Sequence, residues 1–312
     1  MSGPISTKLI SDISKFSKRK IIDLKQIKEA KRQLEISLKK TNEESPTDLN
    51  PLFAVYTDVQ HKVVDFYELL SQLPHSQKFC DMHEKAEDIY MPSYPPMSPI
   101  TNSYFYNWLA FDMGVGLKKE TIATVMIDLY RKLGASSDLI NLLSFMQESY
   151  NGLYVHEGVD NEIVYLREIY TNQKQKVFVP SGYNGNEGEI WLVRLLPSPL
   201  PKYVDYKVAF TTPYVLMNIP VAKYGSQNSS SCYPKKDWLE FIERNLFQVK
   251  ANTPEQRYYK FMKNGLDKHY WLEFVFVSYV NFTNKMILLS GFPDKPETLI
   301  HHSQNGELVH GS

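Results

Sequence analysis

"LYVHEGVDNEIVYLREIYT", residues 153–171, is where the character of this chain changes. Before Gly152 its apolar residues recur at intervals of three and four. From Leu153 onward they come in short β-branched and aromatic runs broken by turn residues. Such runs read as strands, because branched and aromatic side chains pack well on a pleated, half-buried surface. The same texture returns in "QKVFVP" (175–180), "EIWLVRLLP" (189–197) and "YKVAFTTPYVLM" (206–217), with Asn184-Gly185 and Glu187-Gly188 marking a loop. Several strands in so short a span predict a small, strongly curved antiparallel sheet or barrel. Ile163, Val164, Leu166 and Ile169 place apolar residues at both parities, which predicts strands covered on both faces.

Upstream the period is helical. Leu52, Tyr56, Val59, Val63, Phe66 and Leu70 form one stripe, predicting a helix over 51–73 that opens on Pro51. Further helices are expected over 76–89, over 118–133 ending at Gly134, and from Ser137 to Gly152. In the first of the last two, Ile122, Val125, Met126 and Leu129 face inward; in the second, Ile140, Leu143, Phe145 and Met146 do so. Between them and the second helix lies "MPSYPPMSPITNSYFYNWLAFD" (91–112), a proline-rich extended lead into an aromatic helix capped by Thr101 or Asn102. Trp108 and Phe111 read as interior scaffolding joining the helices to the sheet. Residues 7–40 read as a basic helix, with eleven Lys or Arg against four Asp or Glu over residues 8–40. Leu24, Ile27, Leu34 and Leu38 give it a short stripe for the rest of the protein or a second copy. After the polar stretch 222–237, two short helices and a hairpin around 281–284 complete the chain.

The expected fold is therefore α+β: a helical N-terminal half packed on a small curved antiparallel sheet or barrel, with a C-terminal helix pair and β-hairpin. The expected divisions are a basic helix (1–47), a helical domain (48–152), a β module (153–221) and an α/β appendage with a polar tail (222–312).

Composition narrows the function classes. The 312 residues carry no formal net charge, so no global field favours nucleic acid or an anionic membrane. No apolar run is long enough for a transmembrane helix and no signal peptide is visible, so a cytoplasmic protein with no membrane partner is expected. Cys80 and Cys232 are expected to stay reduced. Phosphate-binding loops, nucleophile elbows and zinc-protease motifs are absent from the sequence. Cys80 and His83 stand one helical turn apart with His75 nearby, but no matching second pair exists, so neither metal nor cofactor is expected. Asp112, Glu157, Glu162, Glu168 and Glu189 are acids near the β module; spacing alone pairs none of them for acid–base work.

Tyr165, Arg167, Tyr170, Trp191 and Arg194 are the candidates for a nucleic-acid surface, since aromatic faces stack on bases and guanidinium groups meet phosphates. "YFYNWLAFD" (104–112), "SYNGLYVHEG" (149–158), "VYLREIYT" (164–171) and "IWLVRLLP" (190–197) also follow one another in a recognisable order. Together they resemble a bacterial family of unassigned activity that has an F-x-x-W-L-x-F-D helix followed by a small β module. The resemblance covers about a third of the chain and implies a bacterial cytosolic protein. The cysteine-rich C-terminal metal motif associated with that family has no counterpart here, so no metal carries over. The sequence reading favours a non-catalytic interaction or regulatory protein, with self-association through its first helix as a further expectation. Single-stranded nucleic-acid binding by the β module is the alternative, and a hydrolase with residues assembled by the fold is the second.

Overall fold

The structure is a computed structural model and describes residues 3–18, 50–71, 73–90, 99–216, 235–264, 279–282 and 286–289. The chain divides into two compact units, Met1–Lys85 with Tyr106–Glu148, and Ala86–Phe105 with Ser149–Ser312. Helices and a small barrel make an α+β fold, as expected from the change of period.

The first unit contains α1 (Pro4–Lys18), α2 (Pro51–Ser71), a 3-10 turn (Pro74–Ser76), most of α3 (Gln77–Tyr90), the end of α4 (Pro99–Phe111), α5 (Ile122–Leu133) and α6 (Ser137–Glu148). All six expected residues of α2 are buried, because one stripe at helical spacing is all that the helix turns inward. Helix α5 packs against α1, α2 and α6. It starts with a reciprocal cap between Thr121 and Thr124 and stops at Gly134, whose φ of 72° is left-handed. Thr121 Oγ1 also donates to Gln147 Oε1 at 2.6 Å, tying α5 to α6.

Two helical expectations are corrected. In α6 the buried residues are Leu139, Leu142, Leu143 and Met146, so the stripe is turned slightly and Ile140 and Phe145 are only half-buried. Helix α4 begins at Pro99, not at Thr101 or Asn102, since a proline needs no amide partner at a first helical position. Trp108 and Phe111 are buried as expected. The stripe Leu24, Ile27, Leu34 and Leu38, the proline-rich lead and the polar tail lie outside the described residues.

The first turn of α1 has no acidic residue of its own. Glu120 supplies the charge from elsewhere: its carboxylate accepts from the Ile5 and Ser6 amides at 3.0 and 2.8 Å and from Ser6 Oγ at 2.8 Å. Three donors at a helix N-terminus are thereby satisfied by one buried anion. Gly3 lets it approach, since a Cβ there would stand 2.1 Å from Glu120 Cδ. Glu120→Ala is expected to cost about 1–3 kcal/mol, the penalty for stranding buried donors, read as a lower urea midpoint.

The second unit is built on six strands: β1 (Asn151–Asp160), β2 (Ile163–Glu168), β3 (Lys174–Phe178), β4 (Ile190–Leu196), β5 (Lys207–Ala209) and β6 (Tyr214–Val215). Their order is β1-β2-β3-β5-β4-β6, and a further β1–β4 pairing closes the first five into a barrel. All pairs are antiparallel except β3–β5, where Val177 and Phe178 lie beside Lys207 and Val208 in parallel. Helices α7 (Lys235–Leu246) and α8 (Pro254–Asn264), and the hairpin β7 (Tyr279–Phe282) and β8 (Met286–Leu289), belong to the same unit.

The barrel core takes every second residue: Tyr154, Val164, Leu166, Val177, Trp191, Val193, Leu195 and Ala209. Trp191 donates through Nε1 to Glu189 at 2.9 Å and packs against the rings of Tyr183 and His156, at 5.5 and 5.0 Å between centroids. Burial opposes the charge on Glu189. Hydrogen bonds from Trp191, Asn186 and Tyr183 together outweigh it and hold its pKa below the ordinary carboxylate value. Gly185, at φ 64°, lets the loop lie on Trp191, where a Cβ would stand 2.3 Å from the indole. On the opposite face of β4, Arg194 donates to Ser149 carbonyl and Oγ, both at 2.9 Å, and Lys263 of α8 donates to the same carbonyl at 2.7 Å. Tyr104 of α4 sets its hydroxyl 2.6 Å from the Leu192 carbonyl of β4.

Candidate functional site

Strand β2 alternates strictly between half-buried and buried residues, so the expectation of strands covered on both faces fails here. Its neighbours Val164 and Leu166 enter the core, while Ile163, Tyr165 and Arg167 are turned outward. Register then dictates which β3 residues share that outer face: Ile163 lies opposite Phe178, Tyr165 opposite Lys176, and Arg167 opposite Lys174. The two-strand face is therefore a row of three pairs that mixes apolar rings with cations. Phe178 continues into Tyr206, with centroids 6.2 Å apart. The loop from β4 to β5 carries two strongly exposed apolar side chains, Tyr203 at 85% and Leu200 at 59%.

Two carboxylates reach this face from outside it. A bulge in β1 between His156 and Gly158 leaves Glu157 without a partner in the register and aims it across at β2. Its Oε1 accepts from Arg167 Nε at 2.5 Å, and its Oε2 lies 3.7 Å from Lys174 Nζ. Asp205, just before β5, accepts from Lys176 Nζ at 2.6 Å. The Arg167 hydrogen bond holds the Glu157 carboxyl below its ordinary pKa, and the Lys176 hydrogen bond does the same for Asp205. These pairs are open to water, so each contributes little to stability.

Of the five residues singled out from the sequence, Tyr165 and Arg167 stand together on the outer face. Tyr170 lies beyond the end of β2, stacked on Tyr258 of α8 at 5.2 Å. Trp191 and Arg194 are fully buried, one inside the barrel and one against Ser149. The reason is that every residue of β4 is buried, so neither of its faces is open to a ligand. Lys174, Lys176, Phe178, Tyr206 and Asp205 were not singled out, and Glu157 was weighed only as one of the acids for acid–base work. The alternation in "KQKVF" was a readable signal for three of them, but only the β2–β3 register sets those residues beside Arg167 and Tyr165.

The alternatives find less support. Glu168, buried, accepts from Tyr150 at 2.5 Å and from Thr171, while Glu189 and Glu157 have the donors named above. None of these three acids shares a donor with another among the described residues. Among the described residues, no three His, Cys, Asp or Glu side chains gather as a metal site would require. His83 meets Tyr67, and His75 meets Asp12 at 2.5 Å. Cys232 lies outside the described residues. The first unit holds a concavity of about 310 Å³, where Lys118, Lys119 and Arg131 are balanced by Glu120, Asp128 and Glu148. Among the described residues, no helix is long and apolar enough to cross a membrane. No protein-family model, curated protein or solved structure matches the chain.

Proposed function

We propose that this is a non-catalytic binding protein whose barrel takes single-stranded nucleic acid across the outer face of β2 and β3. The observation that carries the reading is the register that sets Arg167 beside Lys174, Tyr165 beside Lys176 and Ile163 beside Phe178 on one open face. Single strands ask for that combination, because cations track the phosphates while ring faces stack on unpaired bases. Two features agree with it by analogy. The barrel's strand order, with its parallel β3–β5 contact, is the connectivity of oligonucleotide-binding Greek-key barrels. In those barrels the β2–β3 face and the β4–β5 loop meet the ligand, and here that loop presents Tyr203. Zero net charge does not weigh against a local row of cations, since phosphate contacts are made within a Debye length.

The test is fluorescence anisotropy with a labelled oligothymidylate of about 16 nucleotides, the upper end of the site size for such a barrel. Three phosphate contacts imply a slope of about −2 in log K against log salt, a loss of about twentyfold between 50 and 200 mM. The triple variant Arg167→Gln, Lys174→Gln, Lys176→Gln is expected to abolish that slope. Absence of binding, binding indifferent to salt, or equal competition by polyglutamate would overturn the reading. The last of these outcomes would point to an acidic protein partner.

A further inference from the structure

The cations of the β2–β3 face do not wait for a ligand bare. Arg167 and Lys174 share Glu157, and Lys176 holds Asp205. Neither carboxylate belongs to β2 or β3: one is thrust out by the β1 bulge and the other arrives on the loop before β5. Lys174 and Lys176 are two residues apart on one face of a strand, which separates the two anion positions along β3 by about 7 Å. That is comparable with the distance between successive phosphates on an extended single strand. Both carboxylates are accessible, with Glu157 side-chain exposure at 26% and Asp205 at 72%, so each is free to swing away into water.

The geometry points to two phosphate subsites, one at Arg167–Lys174 and one at Lys176. In the free protein Glu157 and Asp205 occupy them as internal surrogates. A strand running along β3 displaces both carboxylates, its phosphates taking their places while Tyr165 and Phe178 face the bases. The inference rests on the reading given above and adds the ligand's path and its internal competitor. It assigns Glu157 and Asp205 an inhibitory role: they set a threshold below which weak or sparsely charged anions do not bind. Exchange of one anion for another also keeps the cation row compensated at every stage.

Glu157→Gln and Asp205→Asn keep size and shape while removing the competing charge. Each is expected to tighten oligothymidylate binding about two- to fivefold, the range set by exposed ion pairs, and the double variant by about tenfold. Glu187→Gln, an exposed carboxylate on the β3–β4 loop, is the control for a general change of charge and is expected to leave affinity unchanged. Coupling supplies a further readout: Arg167→Gln is expected to weaken binding more in the Glu157→Gln background than in the native chain, since the arginine is then unengaged. If the native chain binds and the two variants bind no tighter, the surrogate assignment is overturned and the binding reading stands. Equal tightening by Glu187→Gln also overturns it. Binding that emerges only in the variants supports the surrogates and overturns the reading for the native chain. Failure of every form to bind overturns both.

Discussion

Raising the pH above 10 is expected to unfold the barrel unit steeply. Tyr104, Tyr150, Tyr154 and Tyr258 all have their pKa values pushed up, in each case chiefly by burial, with the Glu168 charge adding to the shift for the last three. Below the unfolded value of 10.0 both states keep these protons, and the stabilisation is fully present. Above it the unfolded chain releases them while the folded unit retains them, so stability falls as pH climbs towards the folded pKa values. Four such groups remove roughly 5 kcal/mol per pH unit, so a domain of ordinary stability is exhausted within about one to three units. Tyrosinate absorbance and far-ultraviolet circular dichroism are expected to move together in one transition. Smooth ionisation of all 21 tyrosines near pH 10 with unchanged dichroism would refute this.

Trp191→Ala is the substitution expected to damage the barrel most. The indole is fully buried in the barrel core, is clasped by Tyr183 and His156, and holds the Glu189 carboxylate. Its removal opens a cavity that strands and loop cannot close, at a cost of about 3–5 kcal/mol in urea denaturation. Trp191→Phe keeps much of the packing and loses the hydrogen bond, so it is expected to fall between the two. A change below about 1 kcal/mol for Trp191→Ala would mean that the core does not depend on it.

The fold was legible where one periodicity ran without competition. The α2 stripe from Leu52 to Leu70 was readable residue by residue, and so was the switch to strands after Gly152. Strand β4 was legible as a strand in "EIWLVRLLP", though not as one covered on both faces. What sequence could not supply was register. "EIVYLREIYT" shows apolar residues at both parities because Ile163 is apolar yet turned outward and Ile169 already lies beyond the strand; within Ile163–Glu168 only alternate residues are buried. Trp191 and Arg194 looked like ligand contacts by residue type alone, yet both lie on a strand covered on either side. Arg194 illustrates the limit best, because a guanidinium reads as surface until Ser149, far away in sequence, is seen to receive it. The role of Glu157 was hidden for a similar reason: a bulge is a property of two paired strands, not of one.

The parallel contact between β3 and β5 ties Val177 and Phe178 to Lys207 and Val208. The hairpins β1–β2 and β2–β3 bring together residues close in the chain, but this join waits until β4 has crossed to β1 and the backbone has doubled back. Such distant partners meet late and slowly, since chain entropy is surrendered before their contacts repay it. During synthesis the row of cations on β2 and β3 can therefore exist as a paired ribbon before Asp205 has arrived to occupy one end of it. On the proposed reading, a nascent chain at that point is expected to hold polyanions more tightly than the finished protein.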